Sequence, residues 1–292
     1  MLNSFESLTG LPEITGYIFV FILGACIGSF LNVVIYRVPN EKSLLTSSAC
    51  PNCGRAIAFY HNIPIFGWLM LRGRCTNCRA AIAWRYPAVE VLTALIFAMT
   101  AWQLGWTVFL PVALVFVSTM IALIFIDADH MILPNVITYP LLIFALLVRL
   151  VLPLACGYVF VDTTYSPINE LAAQPAWLIS LAGAVLGALV GGGSLWLVGE
   201  IWKRLRGVEA MGLGDVKMMF AVGALLGWRL TLLTIFLGAF VGALTGIVLV
   251  LRTKEKDFQT QLPFGIFLGT ASIIASLFGD RIVNWYLRQF IF

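Results

Sequence analysis

The chain is 292 residues long, 61% hydrophobic and only 11% charged, with a formal net charge of +4 and a mean hydropathy of +0.97. A soluble protein carries roughly 25% charged residues, so a globule of this length would lack the polar surface to be wetted. A charge of +4 is too small to point to nucleic acid, and the partner this composition fits is the lipid bilayer.

A helix crosses a ~30 Å hydrocarbon core with about 20 apolar residues. Tyr17–Tyr36 is the first such run, closed by Arg37. The segment before it holds Glu6 and Glu13 but no Lys or Arg, and no A-x-A site follows. It therefore reads as a retained span with its N-terminus outside, not as a secretory signal. Between Glu90 and Asp127 lie 36 uncharged residues, about 54 Å of helix and too long for one crossing. Gln103-Leu104-Gly105 offers a turn that divides them into spans near 88–103 and 107–126. Further spans fall near 136–155, 177–198, 216–228, 230–251 and 263–280, which makes eight.

With the N-terminus outside, the cytoplasmic segments are 37–87, 127–135, 199–217 and 252–262. They carry 14 of the 18 basic residues, among them Arg37, Arg72, Lys203, Lys217, Lys254 and Lys256. An excess of Lys and Arg marks the cytoplasmic side, so the count supports the topology. Glycines repeat every fourth residue at Gly183, Gly187 and Gly191 and again at Gly238, Gly242 and Gly246, the pattern of close helix packing in lipid.

The expected fold is an all-α polytopic membrane protein of about eight transmembrane helices, with a small cytoplasmic zinc-ribbon-like domain between the first two. Residues 1–36 form the outside N-terminus and first span, 37–87 a four-Cys domain, and 88–292 the membrane-embedded remainder. Within 37–87 stand Cys50-Pro-Asn-Cys53 and Cys75-Thr-Asn-Cys78, a C-x2-C-x21-C-x2-C pattern. Two such knuckles complete a tetrahedral Zn2+ shell with no open position, so the metal is structural. A reducing cytosol disfavours two disulfides as the alternative. Neighbouring arginines are expected to hold the thiolates deprotonated. Cys26 and Cys156 have no partner spacing and read as inert.

Carboxylates bordering apolar runs are costly and therefore informative. Asp127 closes the third span and Asp215 opens the sixth within Gly212-Leu-Gly-Asp215. Two acids on different helices at one depth could form a dyad that shares a proton and activates water for amide hydrolysis. The helix ends suggest Asp215 as base and Asp127 as proton carrier. Gly212 and Gly214 would leave the backbone open to an extended peptide. Asp129 faces another side of its helix, and His130 reads as an interfacial residue. Glu90 could pair with a cytoplasmic Arg, support the dyad or contact a methyl donor. A proton-coupled transporter using Asp127, Asp129 and Asp215 as relay acids, with a zinc-ribbon docking domain, is the alternative reading.

In chain order, Gly28-Ser-Phe-Leu-Asn-Val-Val-Ile-Tyr-Arg37, the two Cys pairs, Asn62-Ile-Pro64, Arg85-Tyr-Pro-Ala-Val-Glu90, Asp127-Ala-Asp-His-Met-Ile-Leu-Pro134 and Gly212-Leu-Gly-Asp215 make a chain that resembles the type IV prepilin peptidases, membrane aspartic proteases of the GxGD kind. The resemblance implies an enzyme of the bacterial inner membrane that removes a short basic leader from prepilins and pseudopilins. It implies Asp127 and Asp215 as the catalytic pair, and N-methylation of the new terminus with S-adenosylmethionine through the region 37–87. Asn135 departs from the pattern, which usually has Asp after the proline.

Overall fold

The computed structural model describes residues 4–160, 174–207, 211–252 and 263–290. Lys254, Lys256 and most of the expected outer loop 156–176 lie outside them. Two compact units divide the chain, Met1–Ala122 and Leu123–Phe292. The boundary falls inside one helix. Across the described residues the secondary structure is helical, apart from two isolated antiparallel bridges, Ala49 with Ala56 and Arg74 with Ala81.

The first unit begins with α1 (Phe5–Thr9) and the long α2 (Glu13–Arg37). After the cysteine-rich segment and the short α3 (Phe66–Met70) comes α4 (Arg85–Leu104). Gly105, at φ 62°, ends α4 where the sequence placed a turn, and α5 (Leu110–His130) follows. α2 and α4 touch backbone to backbone: a Cβ on Gly24 would lie 2.7 Å from Ala94 Cα, and one on Gly28 2.7 Å from Glu90 Cα. Val20, Phe97, Ala101 and Leu110 form the buried cluster at one end of this pair, with Tyr17 and Trp106 packed against it. Glu13 fastens that end by accepting from Phe5 N at 2.7 Å and from Trp106 Nε1 at 3.2 Å.

In the second unit, α6 (Asn135–Cys156), α7 (Ala176–Ala188) and α10 (Phe264–Phe290) surround α9 (Leu213–Arg252). A π-helical segment, Leu189–Gly193, joins α7 to α8 (Ser194–Arg206). The glycine stripe of α7 works as its spacing suggests. A Cβ on Gly187 would strike Gly223 O and one on Gly223 would strike Gly187 O, so α7 and α9 meet with nothing between their backbones.

Among the described residues, seven helices are long and apolar enough to cross a membrane. The difference from eight is α9, a 40-residue helix interrupted at Gly227, whose φ 79° and ψ 169° no helix contains. The break falls at the end of the first of the two spans, 216–228 and 230–251, that the sequence separated there. Carbonyls in the last turn before a break lack helical partners, and one of them, Ala224 O, accepts from Arg149 Nε at 3.0 Å. Arg149 is fully buried, its guanidinium 4.0 Å from the ring of Phe160. Arg149→Met should lower the stability of detergent-solubilised protein by on the order of 2 kcal/mol, the worth of a hydrogen bond from a charged donor, read as a lower thermal unfolding midpoint.

Candidate active site and metal centre

The acidic site is built where α5 ends and α9 begins. Met131, at φ 53°, stops α5, and its N–H closes on Asp127 O at 2.9 Å. Three residues later Pro134 caps α6, whose fixed φ suits a helix start. At the other helix, Asp215 N donates to Gly212 O at 3.2 Å, which sets the acid in the first turn of α9. Asp127 is 5% exposed and Asp215 8%. The sequence therefore named two acids that the fold does bring together.

What gathers them is the head of α10. Ile266 N–H donates to Asp127 Oδ2 at 3.1 Å. A Cβ on Gly265 would lie 2.7 Å from Asp127 Oδ2 and 3.1 Å from Asp215 Oδ1. An oxygen of each acid thus lies within 3.1 Å of the space that a side chain at 265 would fill, close enough for one water molecule to serve both. Asp127 accordingly sits at the C-terminal end of α5 and the N-terminal end of α10 at once, so the dipole of α5 alone does not assign the two roles. Neither Gly265 nor Ile266 was singled out in the sequence. The available signal was Pro263-Phe-Gly265 opening an uncharged run.

Asp127, Asp215, Leu133, Asn135, Gly214 and Lys217 are among the residues lining a cavity of about 270 Å³. Lys217 Nζ donates to Asn135 Oδ1 at 2.9 Å and lies 5.3 Å from the ring centre of Tyr139. The two motif glycines divide their work. Gly214 faces Leu133, whose Cβ would be 2.9 Å from an added Cβ, so its missing side chain serves packing and not the approach of a peptide. Gly212 is exposed, and an added Cβ would come to 3.4 Å from Asp215 Oδ2. Asp129 and His130 are exposed, and neither lines the cavity.

In the first unit the four cysteines converge. Cys50 and Cys78 Sγ are 3.8 Å apart, Cys53 and Cys75 Sγ 4.0 Å, and all four lie within 4.8 Å of one another. Sulfurs at ~2.3 Å from a tetrahedral ion stand about 3.8 Å apart, so the set fits such an ion. Two matching turns make it. Cys50 N donates to Arg55 O and Gly54 N to Cys50 O, while Cys75 N donates to Ala80 O and Arg79 N to Cys75 O. The N–H of Arg55, helped by the Asn77 side chain, lowers the Cys53 thiol to about 6. Backbone N–H groups of Cys78 and Asn77 likewise lower Cys75. The cause is these hydrogen bonds and not the expected arginine charges; the Arg55 guanidinium donates to Asn77 Oδ1 at 3.0 Å. Cys26 and Cys156 are exposed and stand apart from the cluster. Glu90, left open by the sequence, is 8% exposed and accepts the N–H of Ile65 at 2.7 Å.

Residues 22–104 match the bacterial peptidase A24 N-terminal domain and 114–247 the type IV leader peptidase family. Among curated relatives, the prepilin leader peptidase/N-methyltransferase of Pseudomonas aeruginosa is 36% identical over 91% of this chain and 92% of its own. Its counterpart in Aeromonas hydrophila is 36% identical over 98% of both chains, and that of Legionella pneumophila 32% over 93% and 94%. No solved structure matches. With two acids meeting beside membrane-spanning helices, the class is a multi-pass membrane peptidase. The chain belongs to the type IV leader peptidase family.

One metal ion per chain should be found by atomic emission, and Cys53→Ser or Cys75→Ser should remove it. Because the ligands must be thiolates, metal content should hold at neutral pH and fall on acidification, protons then competing for the ligands.

Proposed function

We propose that Asp127 and Asp215 are the catalytic dyad of a prepilin peptidase that removes the leader of type IV prepilins and pseudopilins. The observation that carries this reading is the approach of one oxygen from each acid to the same space beside Gly265. A water molecule there gives its proton to one carboxylate as it attacks the scissile carbonyl, while the other carboxyl group donates a proton to the carbonyl oxygen. Ile266 N–H fixes the orientation of Asp127. The cavity opens where helices end, which suits a substrate whose cleavage point lies at the membrane face. Two acids that share one water serve hydrolysis better than a relay. Among the described residues, the helix interruptions that a transporter would need in both halves are the π segment and the Gly227 break, both within the second unit.

The rest of the reading concerns place and organisation. The basic residues put the N-terminus outside and the dyad on the cytoplasmic face of the inner membrane. Residues 1–36, 37–87 and 88–292 then divide as anchor, zinc-bearing segment and peptidase. The ion held by Cys50, Cys53, Cys75 and Cys78 is Zn2+, which braces the segment and takes no part in the chemistry. The relatives' names include N-methyltransferase, and the proposal extends to this chain N-methylation of the new terminus with S-adenosylmethionine as donor. Residues 37–87 carry no glycine-rich nucleotide fingerprint, and no residue there is assigned to that donor.

Incubating the solubilised protein with a purified prepilin tests the dyad. Asp127→Asn and Asp215→Asn should each abolish cleavage, and retained cleavage in either would remove that residue from the mechanism. Gly265→Ala places a methyl group 2.7 Å from Asp127 Oδ2. It should slow cleavage on the order of 10²-fold, as misplacement by about 1 Å does, with zinc content unchanged.

A further inference from the structure

Ile65 adopts φ 65° and ψ −56°, with Phe66 N donating to Pro64 O at 2.6 Å. That is the rare, strained form of the γ-turn, and it is held by a β-branched residue for which positive φ is a true outlier. Backbone strain of this kind persists only where the surroundings impose it. Here the imposing group is named: the N–H of Ile65 is the one that Glu90 accepts.

The depth of that contact can be read from the helices. α4 has 20 residues, about 30 Å of helix, which barely matches the hydrocarbon core. Its first turn must therefore sit at the edge of the core. Glu90 lies five residues in from Arg85, about 7.5 Å along the axis, and its side chain leans back toward the start of the helix. Ile65 thus lies no higher than the level of Arg85. The chain leaves α2 at Arg37, passes through the cysteine knuckles, and returns to the membrane edge to start α3.

α3 has two apolar faces. Gly67 is buried and Trp68 half-buried, the indole N–H donating to Ile82 O at 3.1 Å. Phe66, Leu69 and Met70, at the i, i+3, i+4 spacing of one helix face, are 63%, 55% and 66% exposed. Just beyond follow the exposed Arg72 and Arg74. At the head of α4 stands Trp84, also exposed, at the level where Trp is enriched in membrane proteins.

We propose that α3 lies in the bilayer interface, with Phe66, Leu69 and Met70 among the ends of the acyl chains and Arg72 and Arg74 at the phosphodiesters of the headgroups. The Glu90–Ile65 hydrogen bond is the latch that holds it at that depth. The occupant of this face is lipid. It continues the apolar belt of α2 and α4, and its basic border matches the negative charge of headgroups.

Full-length protein carrying a photoreactive benzophenone residue at Leu69, reconstituted in nanodiscs containing phosphatidylglycerol and illuminated, tests this by mass spectrometry. A phospholipid adduct is the expected product. Absence of a lipid adduct, or a product formed only with a second copy or an added prepilin, overturns the proposal. A triple variant, Phe66→Glu, Leu69→Glu and Met70→Glu, should be cut by trypsin after Arg72 and Arg74 at least about tenfold faster than wild type in nanodiscs, since burying one such side chain is already worth that much. It should do so with its metal content intact, and equal cleavage rates in nanodiscs would overturn the proposal. If the triple variant loses its metal, the adduct at Leu69 decides alone.

Discussion

Two carboxyl groups almost wholly withdrawn from water are an expensive pair to hold side by side, and three helix ends share the task. α5 delivers Asp127 in its final turn and α9 delivers Asp215 in its first. α10 supplies the N–H of Ile266 and, at Gly265, an absence of side chain that leaves room for both acids. The remaining features of the second unit maintain that meeting. The glycine contact of Gly187 with Gly223 lets α7 lie against α9 without a spacer. Arg149 satisfies the carbonyl left open where α9 breaks. Moving any of these helices by the width of a methyl group would shift one acid relative to the other.

The four-cysteine cluster shows the same economy in another medium. Its two turns are built from equivalent backbone hydrogen bonds, and the folding of each turn aims further amides, those of Arg55, Asn77 and Cys78, at the sulfurs of Cys53 and Cys75, where they stabilise thiolate. Shape and charge are both set by backbone N–H groups, while the Arg55 guanidinium bonds the side chain of Asn77.

Much of this was legible in the chain because it depends on local rules. Span lengths, the stop at Gly105, the paired cysteines and the two acids at helix ends follow from hydropathy, turn chemistry and ligand spacing. The interruption at Gly227 was legible too, as a boundary between two apolar stretches. What the sequence could not show are contacts between distant positions with no composition signal. Ile266 meets Asp127 across 139 positions, and Arg149 meets Ala224 across 75. Gly214 was misread for a related reason: its openness was known, but the neighbour that uses it, Leu133, was not. Glu90 was recognised as costly without a partner, and the partner is an amide in a strained turn, which residue identity does not encode.

The half of α9 that carries Asp215 ends within the bilayer, some fourteen residues, or about 20 Å, from its head. Beyond the acid it runs through Met218, Met219, Ala221, Val222, Ala224 and Leu225, none more than 2% exposed. This buried stretch closes the way past Asp215 along α9. On the proposed reading of the two aspartates, hydrolysis draws its water and exchanges its protons on one side only, and titratable acids are kept in an energised membrane without opening a leak for the proton gradient.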